Sequence, residues 1–169
     1  CNIEGDAVLF AVMSNSPISN RLVSDACPSG QDVGAPNGKI IWIVITAYQE
    51  AQTIEQVVRD ALHESPYVAV IDDGSDDNTA QKAHDAGAHV LRHLFNLGQG
   101  AALQTGLSFA LAEGADLIVT MDADGQHDPA DIGRMAIELE AAQADVALGN
   151  RFSGQAIGIS WRRRMILKC

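Results

Sequence analysis

The sequence predicts an α/β protein: an open, mostly parallel sheet with helices on both faces. Three observations carry that expectation. Short runs of β-branched and other apolar residues recur along the chain, and segments with helical periodicity separate them. The first of the central runs, IIWIVI at 40–45, is apolar without alternation, as a strand buried on both faces requires. A polar, acidic or glycine-rich stretch follows each run on its C-terminal side, where open parallel sheets bind their ligands.

Residues 1–38 hold no sustained period and end in the turn signal GAPNGK (34–39), so an irregular leader is expected ahead of a domain spanning 39–169. Within the leader, Ala7–Met13 reads as a short strand or helix; Glu4 and Asp6 carry the wrong charge for the start of a signal peptide. After the strand at 40–45, Thr53 and Gln56 form a capping-box pattern. Ile54, Val57, Val58, Ala61 and Leu62 then recur at helical spacing until Ser65 and Pro66 end the helix. VAVI (68–71) is a strand, a helix follows from about 77 to 86 and stops at Gly87, and a short strand lies around 89–91. Gly98 to Ala112 reads as a helix whose alanines and glycines permit close packing, with Gly114 as its stop and a strand at 116–121 beyond it. Asp128 and Pro129 suit an N-cap and first helical position, Ile132, Met135, Ala136 and Leu139 make one apolar stripe, and 145–149 is the last strand.

A chain of 169 residues is long enough for one domain with a real core. Its 11 Lys and Arg against 22 Asp and Glu give a net charge of −11, which argues against nucleic acid as a partner. Any phosphate it binds needs local help from a cation or from backbone N–H groups. The three cysteines, Cys1, Cys27 and Cys169, lack metal-ligand spacing and form no even set, which fits a reduced cytoplasmic setting. The longest apolar stretches are about seven residues, against roughly 20 for a bilayer span, so any membrane contact is expected to be peripheral.

The chemistry concentrates after the strands. In DADGQHDP (122–129), Asp122 and Asp124 are spaced to face one ligand from a strand end, and two close carboxylates repel unless a cation lies between them. Oxygen donors without cysteine favour Mg²⁺ or Mn²⁺. The bland alternative is an acidic turn, in which Asp128 only caps the next helix. An EF-hand is excluded, because Gly125 holds the fourth position counted from Asp122 as the first, where that loop needs its glycine at the sixth. His127 is either a further ligand or a solvent-facing loop residue. In IDDGSDD (71–77), Gly74 permits a sharp turn, and Asp72 and Asp73 stand where a base or ribose edge can be bonded; helix capping by Ser75, Asp76 or Asp77 competes with that reading. In ITAYQE (45–50), Tyr48 can stack on a planar base and Glu50 can accept hydrogen bonds. NLGQGAALQTG (96–106) is neither a Walker motif nor a first-strand dinucleotide fingerprint. Arg151 in GNRF (149–152) has the planar fork that suits a diphosphate.

The ordered series ITAYQE, IDDGSDD, NLGQGAALQTG, DADGQHDP and GNRF resembles the family 2 glycosyltransferases of the GT-A (Rossmann-like) fold, especially the dolichyl- and polyprenyl-phosphate sugar transferases. The resemblance covers residues 40 to about 168. It implies inverting transfer of a hexose from a nucleotide diphosphate sugar, GDP-mannose or UDP-glucose, to a polyprenyl or dolichyl phosphate. By that similarity Tyr48 and Glu50 hold the base, the backbone at Thr46 and Ile71 lines its pocket, and Asp73 bonds the nucleoside. Asp122, Ala123, Asp124 and Gln126 form the metal and diphosphate site, with Asp122 and Asp124 catalytic, Gln126 a third metal ligand, and Arg151 touching the diphosphate. The family usually has Pro at the position of Thr46 and Asn at that of Gln49, and it continues past the equivalent of Cys169 into the acceptor side, so the chain is expected to be truncated there. WRRRMILK (161–168) is a basic cluster suited either to a lipid phosphate or membrane surface, or to a solvated helix start. Two competing readings stand beside transfer: a donor-binding module without the acceptor half, and a nucleotidyltransferase. The second wants a glycine-rich basic loop after the first strand, which ITAYQE is not.

Overall fold

The computed structural model describes residues 11–14, 38–141 and 144–148. Six strands, β1 (Ala11–Ser14), β2 (Ile41–Ala47), β3 (Tyr67–Asp72), β4 (His89–Arg92), β5 (Leu117–Asp122) and β6 (Val146–Leu148), alternate with α1 (Ile54–Glu64), α2 (Thr79–Asp85), α3 (Gln99–Ala112) and α4 (Asp131–Ala141). The sheet order is β4-β3-β2-β5-β1-β6. β2 lies between β3 and β5, parallel to both, and β4 runs parallel to β3. β1 runs antiparallel to both β5 and β6, so residues 11–13 of the segment read as strand or helix belong to a strand inside the sheet, and residues 7–10 lie outside the described residues.

Alternation along the central strands divides the core in two. Ile41, Ile43 and Ile45 of β2, Val68 and Val70 of β3, and Leu117, Val119 and Met121 of β5 face one side. There they meet Ile54, Val57, Val58 and Ala61 of α1 and the predicted stripe Ile132, Met135, Ala136 and Leu139 of α4. Trp42, Val44, Ala69, Ile71 and Ile118 face the other side, against Ala102 and Ala110 of α3. Both faces of the central strands are thus buried, which is why these runs do not alternate in polarity. α3 lies close to the sheet because Gly106 has no side chain: a Cβ there would stand 2.3 Å from Val44 Cγ1. Trp42 braces the same contact, edge-on to Phe109 with ring centroids 5.1 Å apart.

Two local expectations change. Thr53 stands at the N-cap of α1 with backbone angles in the helical region, and its side chain makes no capping bond, so the capping box with Gln56 does not form. Its hydroxyl is engaged elsewhere, as shown below. α4 begins at Asp131, so Asp128 and Pro129 lie in the turn before it, and the Asp128 side chain closes that turn, its Oδ1 accepting the Ala130 N–H at 3.0 Å. Among the described residues no helix is long and apolar enough to cross a membrane. GNRF with Arg151, and WRRRMILK, lie outside the described residues.

Candidate functional site

Register brings the polar motifs together. Thr46 is the pairing partner of Ile71 on one side and of Asp122 on the other, so the chain leaves β2, β3 and β5 at one edge of the sheet. A cavity of about 360 Å³ opens there, lined among others by Thr46, Tyr48, Glu50, Asp73, Ala123 and the pair Asp122 and Asp124. Asn96 and Gln99, from the loop before α3 and its first turn, complete the lining. Seven of the residues singled out in the sequence therefore share one space. Ile71 does not line it: its side chain is fully buried under α3 and its backbone lies in the ladder between Thr46 and Leu91. Gln126 lines a separate cavity of about 420 Å³ with Asp60, His63 and His127.

The loop after β2 is held by the loop after β3. Three successive backbone N–H groups, those of Gln49, Glu50 and Ala51, donate to Ser75 Oγ at 2.9 Å, Thr79 Oγ1 at 2.9 Å and Asp77 Oδ2 at 3.2 Å. Gln49 has a φ of 58°, a left-handed conformation that non-glycine residues seldom adopt, and these bonds offset its cost. Ser75 is fixed in turn, its N–H and hydroxyl both donating to Oδ1 of the buried Asp72. Arg92 Nε lies 3.1 Å from the other Asp72 oxygen, near enough for an ion pair but off the line of a hydrogen bond. The Thr79 hydroxyl and N–H hold Asp77 below its ordinary carboxylate range, against a smaller opposing effect of burial. The capping role weighed for IDDGSDD thus falls to a scaffold that shapes the neighbouring loop and leaves Tyr48 44% exposed toward the cavity.

Asp73 is engaged inside the protein. Its Oδ1 accepts from His93 Nδ1 at 2.7 Å and the Leu97 N–H at 3.0 Å, and its Oδ2 accepts from the Gly98 N–H at 2.7 Å. Burial alone would raise its pKa; the bonds from Leu97, His93 and Gly98 outweigh burial and lower it. Because an ionised Asp73 can only accept, His93 carries its proton on Nδ1, and Nε2 faces the Thr105 hydroxyl at 3.0 Å. Gly74, with φ +76°, lets the two loops touch: a Cβ there would lie 2.6 Å from the Phe95 carbonyl carbon.

The D-A-D stretch is clamped from three elements. β5 ends at Asp122, so the two carboxylates meet the cavity from a strand end and a turn rather than from one continuing strand. Asp122 Oδ1 accepts from Gln99 Nε2 at 2.9 Å and lies 3.3 Å from the Thr46 hydroxyl. The Ala123 N–H donates to Thr46 O at 3.3 Å, and the Ala123 carbonyl faces the Thr53 hydroxyl at 2.8 Å. Thr53 Oγ1 is also 2.9 Å from Glu50 Oε2, so its single proton joins the base-side loop to the acidic loop. Asp124 Oδ1 accepts the Gln126 N–H at 2.9 Å. Thr53, His93 and Gln99 were not singled out in the sequence as site residues. Their signal was weak because each acts through a partner more than ten residues away.

The donor set fits a hard divalent cation. Four carboxylate residues border the cavity, of which Asp122 and Asp124 stand side by side at the acidic turn, and among the described residues no group of three or more His, Cys, Asp or Glu gathers to hold a metal. Mg²⁺ is commonly held in this way, by one or two carboxylates with water and substrate phosphate completing its shell. The protein's side of such a site would be Asp122 and Asp124.

The chain is 32% identical over 136 residues to polyprenol monophosphomannose synthase of Mycolicibacterium smegmatis, covering 75% of this chain and 51% of that protein. It is 35% identical over 134 residues to undecaprenyl-phosphate mannosyltransferase of Micrococcus luteus, covering 73% and 54%. The chain thus spans about half the length of the curated relatives it matches. Among solved structures, glucosyl-3-phosphoglycerate synthase from Mycobacterium tuberculosis with Mn²⁺, UDP-glucose and phosphoglyceric acid aligns with a TM-score of 0.52 at 27% identity, covering 67% of this chain and 45% of that one. The likeness bears out the GT-A expectation of a mostly parallel sheet with helices on both faces. The family model "Glycosyl transferase family 2" matches residues 42–167, well over half of the sequence, and the chain belongs to that family.

Proposed function

We propose that the protein transfers a hexose from a nucleotide diphosphate sugar to a polyprenyl phosphate, with a divalent cation and with inversion at the anomeric carbon. The observation that carries the reading is the shared cavity, in which Tyr48 and Glu50 stand with Asp122 and Asp124. A nucleotide needs a flat apolar surface and hydrogen-bond acceptors at one end and neutralised phosphates at the other. Tyr48 stacks on the base, and Glu50 accepts its N–H. Asp122 and Asp124 would hold Mg²⁺ or Mn²⁺, which when bound neutralises the charge that develops on the leaving diphosphate. Arg151 adds its fork to that diphosphate. An acceptor phosphate oxygen attacks the anomeric carbon from the face opposite the leaving group. The new C–O bond forms as the bond to the β-phosphate breaks, and the nucleoside diphosphate departs. Since the acceptor is already anionic, little is asked of a general base. The names of the relatives above support a lipid phosphate as acceptor. The basic WRRRMILK segment would meet the lipid headgroup or the anionic surface around it, each basic group contributing about 1 kcal/mol there.

Calorimetry with UDP- and GDP-sugars, with and without Mn²⁺, tests the donor half, and transfer of labelled sugar to polyprenyl phosphate tests the reaction. Wild type should bind one donor series more tightly with Mn²⁺, and Asp124→Ala should lose that gain. Equal binding by the variant would remove the metal site. Donor binding without transfer would leave a binding module.

A further inference from the structure

The two carboxylate oxygens of Asp122 are in different surroundings. Oδ1 accepts the Gln99 amide at 2.9 Å and faces the Thr46 hydroxyl at 3.3 Å, the longer and weaker of the two contacts. Among the described residues no hydrogen bond falls on Oδ2. Neither donor is placed by chance. Thr46 is the register partner of Asp122 across the β2–β5 ladder, so the sheet itself delivers the hydroxyl. Gln99 opens α3, whose N-terminal loop is tied down by the Asp73 carboxylate through Leu97 and Gly98. Both donors are neutral, so they orient the carboxylate without cancelling its charge.

We propose that Gln99 and Thr46 are positioning residues that occupy Oδ1 of Asp122 and leave Oδ2 as its single oxygen for a divalent cation. The inference rests on the donor-site reading above and specifies how that site is built. An aspartate χ2 has a broad, nearly two-fold profile, so an unrestrained Asp122 would exchange its oxygens or offer both. With Oδ1 engaged, the carboxylate takes one coordination position, and the remaining positions stay open to water and to the donor's diphosphate.

The test uses the whole chain and titrates UDP and GDP, each with and without Mn²⁺, into wild type, Gln99→Met, Thr46→Val, the double variant and Thr46→Ser. Methionine and valine keep the volumes and remove the donors. Losing hydrogen bonds to a charged acceptor predicts that the double variant loses about tenfold of the Mn²⁺-dependent gain in affinity. Because both side chains also line the cavity, metal-free affinity should fall by less than the Mn²⁺-dependent gain does, the single variants should fall between, and Thr46→Ser should keep the gain. An unchanged Mn²⁺-dependent gain in the double variant overturns the inference, and so does a parallel loss of metal-free binding, which marks a structural role. Should the double variant fold poorly, Gln99→Met alone decides on the same criteria. Wild type showing no Mn²⁺-dependent gain with either nucleotide would overturn the donor-site reading itself. A Mn²⁺ and nucleotide complex with both Asp122 oxygens on the metal would overturn only the inference.

Discussion

Asp73 is 3% exposed, yet its carboxylate stays ionised below its ordinary pKa of 3.8, because two backbone N–H groups and His93 point at it. In the unfolded chain those donors are gone and the pKa returns toward its ordinary value. The folded state therefore binds fewer protons in this range, and Asp73 contributes stability that is complete above the unfolded pKa and is lost as the pH falls through the lowered native one. Asp73→Asn removes the charge and turns an amide N–H toward donors it cannot satisfy. Urea melts should show the variant less stable by about 2 kcal/mol at pH 7, as expected for lost hydrogen bonds to a charged group. The gap should narrow as the pH drops below 3.8, where the wild-type carboxylate also takes up its proton. A gap that is constant with pH would show that the anchoring of the loop before α3 does not depend on charge.

Helix α3 and helix α4 each carry a glycine where propensity alone favours alanine, and the two should respond with opposite sign. Gly133 has nothing within 4 Å of an added Cβ, so Gly133→Ala should stabilise by about 0.5–1 kcal/mol through helix propensity. Gly106 gains the same propensity, but its new methyl would meet Val44 at 2.3 Å and Ile71 at 3.0 Å. Both neighbours are fully buried and β-branched, so neither has space to turn into. Overpacking of that kind costs about 1–3 kcal/mol and should outweigh the gain, so Gly106→Ala should lower the thermal midpoint where Gly133→Ala raises it. Midpoints moving in the same direction would mean that α3 can lift from the sheet. The cavity edge would register such lifting, because Gln99 and Asn96 stand at the start of that helix.

Across the whole molecule, what could be read in advance divides by the range of the interaction. The strands β2, β3 and β5 were legible because burial on both faces leaves a continuous apolar run, and α1 and α4 because one buried face leaves a helical period. Tyr48, Glu50, Asp122 and Asp124 were legible as cavity residues because they end or follow those strands at the carboxyl edge, whereas Thr46 entered only through the resemblance. Gln99 and His93 were not, since no local pattern says that their partners are Asp122 and Asp73, and Thr53 stands at the N-cap without a capping bond because its hydroxyl turns to Glu50 and to Ala123, the latter 70 residues away. The short segment at Ala11–Ser14 was ambiguous for the same reason: four residues show no decisive period, and only pairing with β5 and β6 makes them a strand. That pairing has a consequence for the assembly of the sheet. Among the described residues β6 ends the strand order and pairs with no strand but β1, while β5 keeps β2 on its other side. Deleting residues 1–14 should therefore free β6 and leave the β4-β3-β2-β5 body and its cavity in place. Hydrogen exchange should show the amides of Val146–Leu148 losing protection while those of Ile41–Ala47 keep theirs. Each ladder bond contributes about 1 kcal/mol, so unfolding free energy should fall by a few kcal/mol rather than collapse. Unchanged protection at Val146–Leu148 would mean that α4, which also touches β6, holds that strand without β1.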